Sequence, residues 1–175
     1  MRTNYILQKQ LDLVLALLGP VNRTVCQVML HTGLRVGDVL TIRKDQLGRR
    51  MTVRESKTNK VKRCGLPDWL ADEIRAQAGA SEWAFPSPYD PTKHRTRQAV
   101  WKDIKRIAKV VRIPVNIGTH SMRKVYAVDL MRRYGDIAAV QRALNHDNPT
   151  VTILYALADQ LAQSAELRRS VKPRR

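Results

Sequence analysis

A short stretch of the chain carries residue types that phosphoryl transfer uses. In THSMRK, His120 and Arg123 stand three residues apart, so their side chains share one face of a helix that begins there. Free backbone N–H groups at a helix start also favour an anion. His146 and Tyr155 follow, nine residues apart, in NHDNPTVTILY. Taken alone, a helix cap or a surface pair is the more ordinary interpretation of His120 and Arg123, so the chemistry depends on further residues.

Arg35 is a second candidate for holding an anion. It follows Gly33 in HTGLR and precedes a short apolar stretch, which places it at a predicted helix entrance. Two guanidinium groups can bind the two nonbridging oxygens of one phosphodiester through planar, permanently charged forks. Arg35 and Arg123 together would therefore neutralise the charge that repels a nucleophile from phosphorus.

Tyr155 is the candidate nucleophile for such a phosphodiester. Its hydroxyl has an ordinary pKa of about 10, so attack near neutral pH requires a base or positive surroundings. His120 could accept the proton. A lysine in a predicted hairpin turn, Lys57 or Lys60, could donate a proton to the departing sugar 5′-oxygen. His146 could donate a hydrogen bond to the phosphate as its charge grows in the transition state.

The sequence indicates neither a metal centre nor a nucleotide-driven motor. Its 15 acidic residues are scattered and form no DxD, DDE or HExxH group, which gives two-metal nuclease chemistry little support. It contains no GxxxxGKS or GxxxxGKT phosphate loop. Cys26 and Cys64 are far apart and have no CxxC partner, so we expect core thiols rather than a zinc site or a disulfide framework. We therefore expect no metal and no cofactor.

The charge of the chain points to a polyanion as its partner. The 175 residues include 32 Lys and Arg against 15 Asp and Glu, a formal net charge of +17. Such a field favours nucleic acid, although a basic but inert surface is the alternative. Only 5% of residues are aromatic, which favours double-stranded DNA held through its phosphates over single strands held by base stacking. The sequence has no apolar run long enough for a membrane span, so we expect a cytoplasmic, DNA-associated protein.

The spacing of apolar residues predicts a mainly helical α+β domain with one small antiparallel sheet. Between residues 50 and 66, alternating residues flank the polar turn KTNK, a pattern typical of a β-hairpin. Residues 79–91 are rich in Gly, Pro and Ser and predict a long loop, held to the core by Trp83 and Phe85. We predict helices over about residues 5–18, 21–31, 36–42, 67–78, 96–111, 121–134 and 136–144, a further helix from Pro149 that carries Tyr155, and a helical tail to Arg169.

Four motifs in this order resemble the catalytic domain of the tyrosine recombinases, the phage integrase family. They are TGLRVGDVL, SKTNKVKR, HSMR and LNHDNPTVTILY, and the resemblance covers the chain from about Val21 to Ala158. It implies an arginine clamp on the scissile phosphate, a general acid, a general base, a position that is His or Trp in the family, and a nucleophile that forms a 3′-phosphotyrosyl bond. Arg35 and Arg123 match the clamp, and Lys57 matches the general acid. His120 matches the general base, His146 the His or Trp position, and Tyr155 the nucleophile.

The resemblance also implies supporting and DNA-binding residues. Asp38 matches an acidic position that supports Arg35, although an ordinary acid near a helix N-terminus is an equally good interpretation. We expect Lys60, Lys62 and Lys124 to contact DNA, and Lys60 remains an alternative to Lys57 as the general acid.

Some positions depart from the family pattern or compete with the candidate residues. The family usually has Leu where Met122 stands and Gly where Asn145 stands; Asn tolerates left-handed backbone, so the second change is compatible with activity. Tyr126 and Tyr134 are alternative nucleophiles, but both lie in a predicted amphipathic helix, where tyrosines are usually core or boundary residues.

From these patterns we predict a site-specific DNA recombinase or integrase catalytic domain that uses neither metal nor ATP. We expect one catalytic domain over residues 1–158, a C-terminal helix and basic tail over residues 159–175, and no separate N-terminal core-binding domain. The resemblance implies a homo-oligomer on DNA, a tetrameric synapse, with the C-terminal helix exchanged between protomers or folded back on its own domain. The alternatives are a non-catalytic DNA-binding relative that modulates a full-length partner and a type IB-like topoisomerase.

Overall fold

The structure is a computed structural model that describes residues 3–144. Seven helices, one short 3₁₀ helix and two strands follow each other in this part of the chain. They are α1 (Gln8–Leu17), α2 (Pro20–Thr32), α3 (Val36–Leu40), the 3₁₀ helix (Lys44–Gln46), β1 (Met51–Arg54), β2 (Val61–Cys64), α4 (Asp68–Ala78), α5 (Arg97–Val110), α6 (Thr119–Tyr134) and α7 (Ile137–Ala143). The predicted mainly helical fold with a small antiparallel sheet is confirmed.

The chain divides into two compact units, Met1–Tyr126 and Ala127–Arg175. The first contains α1 to α5, the sheet and the start of α6. In the described part of the second unit, α6 ends at Gly135, whose φ is +64°, and α7 follows. The carboxylate of Asp136 caps α7 by accepting hydrogen bonds from the N–H groups of Ala138 and Ala139 at 2.8 and 3.1 Å.

Helix α2 is central to the core of the first unit. Pro20 stands in its first turn, where the missing N–H costs nothing, and the helix then buries Val25, Cys26, Val28 and Met29. It packs against α1, α3, α4 and α5. Gly33 ends it at φ +65°, a left-handed conformation that favours glycine.

The hairpin of β1 and β2 lies where the sequence predicts it. The strands pair in antiparallel register, with Val53 opposite Lys62. Side chains alternate across the pleat, so Met51 and Val53 are buried while Thr52 and Arg54 are exposed. The alternation continues past the last strand residue to Glu55, which is fully buried.

The first predicted helix begins later than its apolar pattern indicates. Residues 5–7 precede α1, which starts at Gln8. The N–H of Asn4 donates instead to the carbonyl of Asn116 at 2.7 Å. Ile6 is fully buried within this segment. The burial of Ile6 and the hydrogen bond from Asn4 to a distant segment therefore hold the chain in the region before α1 begins.

The predicted loop between α4 and α5 is also present. Phe85 is fully buried, and Trp83 packs edge-on against His94 while the Arg43 guanidinium lies 3.8 Å from its ring centre. These contacts confirm that the two aromatic residues hold the loop. Within residues 3–144, none of the helices has the length and apolar character required to cross a bilayer.

Candidate active site

Arg35 lies at the entrance of α3, as predicted. Its backbone is extended (φ −74°, ψ 149°) and precedes the first helical residue. Its Nη1 group forms an ion pair with Oε2 of Glu55. The Arg35 side chain remains 20% exposed, whereas the Glu55 side chain has no exposed surface. Nη1 of the guanidinium is therefore anchored in the protein while part of the Arg35 side chain remains exposed.

Asp38 does not contact Arg35 in the way that the resemblance implies. Its buried Oδ1 accepts hydrogen bonds from the backbone N–H of Ser56 at 2.8 Å and from the Ser56 hydroxyl at 2.7 Å. Its Oδ2 is buried and has no hydrogen-bond partner among the described residues. The acid that pairs with Arg35 is Glu55, because the fold brings the end of β1 against the entrance of α3.

Arg123 is placed by the first turns of α6. The residue is almost completely buried, at 4% exposure, and its guanidinium donates to the carbonyl of Gly33. A β-carbon at Gly33 would lie 2.3 Å from the Tyr126 ring, so glycine is required here for space as well as for its positive φ. Gly33 therefore ends α2 two residues before Arg35, and its carbonyl also contacts Arg123, the second predicted arginine.

Hydrogen bonds to the N-terminal segment hold the start of α6 in place. The hydroxyl of Ser121 donates to the carbonyl of Asn4 at 2.7 Å and accepts from the N–H of Gly118 at 3.2 Å. The ammonium of Lys124, a predicted DNA contact, donates to the carbonyl of Thr3. These contacts hold the turn that carries His120 and Arg123.

His120 lies on the exposed side of this turn among several cations. Its pKa is lowered below its ordinary value, first by partial burial of the ring and then by the positive charges of Arg123, Arg35, Lys124 and Lys57. A lowered pKa keeps the imidazole neutral near pH 7, the form that can accept a proton. The four cations that act on His120 come from three segments far apart in the sequence.

Lys57 and Lys60 are both exposed in the hairpin turn. The charge of Lys57 contributes to the lowered pKa of His120. The fold therefore brings Arg35, Lys57, His120 and Arg123 close enough to interact electrostatically.

Lys62, a predicted DNA contact, is buried, whereas Lys60 is exposed. Lys62 is 7% exposed, because the pleat turns it to the same buried side as Val53 and Glu55. Its ammonium lies 5.3 Å from the centre of the Tyr126 ring, within the range of a cation–π contact. Burial, followed by the charge of Arg123, lowers the pKa of Lys62 to about 8, although the charge of Glu55 opposes the shift.

The remaining predicted residues divide into two groups. Met122 is fully buried, so the apolar character of this position serves the core, while Tyr126 is half-buried against Gly33 and Lys62. Tyr134 is 66% exposed near the end of α6. The predicted residues Asn145, His146 and Tyr155 lie outside the described residues.

The motifs give no indication that two charged residues of the site, Glu55 and Lys62, are buried. The strand alternation that buries Met51 and Val53 extends to Glu55 and, across the register, to Lys62. This alternation was the available signal, but only the fold shows that the buried face meets two arginines.

Comparisons with known proteins identify the family of the chain. A model of the phage integrase family matches residues 5–161. The tyrosine recombinase XerA of Thermococcus kodakarensis is 30% identical over 142 residues, which cover 77% of this chain and 50% of that protein. The chain spans about half the length of the curated relatives it matches.

Solved structures show the same fold. The catalytic domain of bacteriophage HP1 integrase has a TM-score of 0.67 at 18% identity, over 99% of this chain and 100% of that one. A lambda integrase dimer bound to a COC′ core site has a TM-score of 0.75 at 17% identity, over 89% of this chain and 48% of that one. Because the family model covers most of the sequence, the chain belongs to the phage integrase family of tyrosine recombinases.

Proposed function

We propose that this chain is the catalytic domain of a site-specific recombinase that cuts and rejoins double-stranded DNA. The observation that carries the proposal is the electrostatic cluster around His120. Arg35, Lys57 and Arg123, drawn from three separate segments, all lower the pKa of this histidine. A neutral base surrounded by cations suits a phosphodiester whose attack by a hydroxyl requires both proton removal and charge neutralisation.

In the proposed reaction, Arg35 and Arg123 bind the nonbridging oxygens of the scissile phosphate. The Tyr155 hydroxyl attacks phosphorus and gives its proton to His120. The bond to the sugar 5′-oxygen breaks, and Lys57 protonates that oxygen as it leaves. The product is a 3′-phosphotyrosyl bond and a free 5′-hydroxyl. Attack by a 5′-hydroxyl reverses these steps, so the strands are rejoined without an external energy source.

The other predicted residues complete this proposal. His146 donates a hydrogen bond to the phosphate in the transition state. Lys60 binds the DNA backbone from the exposed side of the hairpin turn. The basic chain, with its net charge of +17, binds cytoplasmic duplex DNA. The proposed catalytic domain comprises residues 1–158.

The proposed assembly is a homo-oligomer on DNA, with four protomers in the synapse. The dimeric DNA complex of lambda integrase supports it by analogy of fold. Residues 159–175 would dock onto a neighbouring protomer. Light scattering of the chain with a duplex, before and after deletion of the residues that follow Ala158, tests this assembly.

The test of the reaction is covalent capture. A nicked suicide duplex prevents rejoining, so the wild-type chain should accumulate an SDS-stable protein–DNA adduct and Tyr155→Phe should form none. Tyr126→Phe is the matched control, because its ring packs in the protein, and it should retain the adduct. An adduct with Tyr155→Phe would contradict the assignment of the nucleophile.

The same assay separates the alternative functions. Tight, salt-sensitive binding without any wild-type adduct would indicate a DNA-binding relative without turnover. Adduct formation on arbitrary sequences, together with relaxation of supercoiled plasmid, would indicate a type IB-like topoisomerase.

A further inference from the structure

Glu55 and Ser56 are adjacent residues at the base of the hairpin turn, and their contacts hold the turn against α3. Arg35 and Asp38, one helical turn apart, bind Glu55 and Ser56 respectively. These contacts connect the entrance of α3, which carries a predicted phosphate-binding arginine, to the turn that carries the predicted acid Lys57. The positions of the two functional groups are therefore coupled through Glu55 and Ser56.

Glu55 is the buried member of this connection. It has no exposed surface, and a buried carboxylate requires a positive partner and hydrogen bonds to offset its lost hydration. Arg35 supplies the charge, and the Thr58 hydroxyl donates to Oε2 at 3.3 Å. Oε2 of Glu55 is thus contacted both by Arg35 at the entrance of α3 and by Thr58 of the turn.

The backbone of Glu55 also determines the shape of the turn. Its N–H donates to the carbonyl of Lys60 at 2.9 Å, and its carbonyl accepts from the N–H of Asn59 at 2.8 Å. Asn59 has a φ of +55°, a conformation that asparagine tolerates better than most residues. Lys57 projects from a turn that is closed at its base by Glu55.

The contact with Glu55 restricts the orientation of the Arg35 guanidinium. A guanidinium has five N–H donors in one rigid plane, so fixing one nitrogen restricts the directions of the others. The Glu55 carboxylate holds Nη1, and the Arg35 side chain remains partly exposed. Without the carboxylate, the long side chain would sample several rotamers.

We propose that Glu55 is a positioning residue that orients Arg35 for the DNA phosphate and couples this orientation to the turn that carries Lys57. The inference rests on the proposed function, since it assigns Glu55 a part in the same site. It differs from the role that the resemblance implies for Asp38, because here the acid that holds Arg35 belongs to the hairpin.

The experiment is a double-mutant cycle between Glu55→Gln and Arg35→Ala in the full chain. The readout is the single-turnover cleavage rate constant at saturating nicked duplex, together with the Kd for that duplex. We expect Glu55→Gln to lower the rate constant about 10- to 100-fold, because a small misplacement of a binding group is enough for such a loss. We expect the Kd to be unchanged or lower, because the variant removes a negative charge next to the DNA site.

The Arg35→Ala background distinguishes positioning from general support of the fold. If Glu55 acts through Arg35, Glu55→Gln should change the rate by less than about twofold once Arg35 is absent. An equal loss in both backgrounds, or no loss in the wild-type background, would overturn the proposal. Glu82→Gln is the matched control, because it breaks the exposed Arg43–Glu82 ion pair and should leave the rate unchanged.

A second variant and an NMR measurement also test whether Glu55 positions Arg35. If Glu55→Gln does not fold, as judged by its unfolding transition, Glu55→Asp replaces it in the cycle, since the shorter acid retains the buried charge but shifts its position. The Nε–H signal of Arg35 in nitrogen-15 NMR, assigned from its loss in Arg35→Ala, should be narrow in the wild type and broadened in the Glu55 variant. Equal line widths in the wild type and the Glu55 variant would overturn the proposal, even if the wild-type chain forms no adduct. The absence of an adduct by itself counts against the proposed reaction.

Discussion

At the scale of single residues, the site places positive charges at buried positions, where a charge loses its hydration. Arg123 and Lys62 are both more than nine-tenths buried, and the pKa of Lys62 is lowered by burial and by Arg123. Glu55 supplies a buried negative charge that opposes this shift. An unbound site with this excess of cations is less stable than an apolar one, but its charge suits the proposed binding of a phosphate.

The lowered pKa of His120 predicts the acid side of the pH–rate profile. Protonation would abolish the proposed base, and the burial and the neighbouring cations shift this protonation below the ordinary pKa of about 6.5. The single-turnover cleavage rate constant should therefore fall with increasing acidity, with the midpoint of the fall below the ordinary histidine pKa of about 6.5. His120→Gln should be slower and should lack this acid-side decline. Persistence of the same decline in His120→Gln would contradict the assignment of His120 as the base.

The pKa of Lys62 predicts a pH-dependent stability. The folded chain holds this lysine at a pKa of about 8 against an ordinary value of 10.5, so between these values the unfolded chain binds more protons. The free energy of unfolding of the wild type should therefore rise as the pH increases from about 8 to about 10.5. Below pH 8 the buried ammonium costs on the order of 3 kcal/mol, using 1.4 kcal/mol for each unit of pKa.

Lys62→Met should remove this dependence. At pH 7 the variant should be more stable than the wild type, and the difference should shrink as the pH rises through this window. Urea unfolding at several pH values measures it. Lys60→Met is the matched control, because Lys60 is exposed on the neighbouring part of the hairpin. A constant difference between Lys62→Met and the wild type at all pH values would show that the lysine is not the titrating group.

At the scale of elements, the site depends on where helices end. Helix α2 ends at Gly33, α3 begins after Arg35, and the carbonyl of Gly33 accepts a hydrogen bond from Arg123 of α6. A single left-handed residue therefore sets the direction of the chain before Arg35 and provides an anchor for the other arginine.

Gly33→Ala should damage both stability and activity. A left-handed conformation costs a non-glycine residue about 1–2 kcal/mol, and the added β-carbon would also lie 2.3 Å from the Tyr126 ring. We expect a loss of unfolding free energy above this range and a slower cleavage step. Gly48→Ala is the control, since a β-carbon there has no atom within 4 Å. Similar unfolding free energies for the two variants would contradict this account of Gly33.

At the scale of the whole molecule, we expect charge to govern the proposed encounter with DNA. A net charge of +17 on 175 residues produces a long-range positive field, and binding to duplex DNA releases condensed counterions. The affinity should therefore depend steeply on salt, whichever function the chain performs.

Binding titrations at several salt concentrations measure this property. We expect the affinity to fall by about 10³-fold or more between 50 and 200 mM salt, the loss typical of a protein that makes six or more phosphate contacts. Lys60→Ala should reduce the slope of log affinity against log salt by about one if this lysine contacts a phosphate. A loss of less than about tenfold over this range would indicate that the excess charge is not a DNA-binding surface.

The sequence by itself determined the elements, the candidate residues and the family. Strand alternation and helical spacing are local patterns, so the hairpin and helices such as α2, α4 and α5 were predictable within a few residues. Arg35, Lys57, His120 and Arg123 could be selected because their types and order suit one reaction. His146 and Tyr155 remain predictions from these motifs.

Only the tertiary structure decided how these residues are connected. Glu55 meets Arg35 across 20 positions of sequence, Arg123 meets Gly33 across 90, and Ser121 meets Asn4 across 117. Local spacing carries no information about such pairs, because they form only when separate helices and the hairpin pack on a common core. The same packing turns Lys62 inward and Asp38 toward the hairpin, since a buried charge takes whichever partner the fold brings within hydrogen-bonding distance.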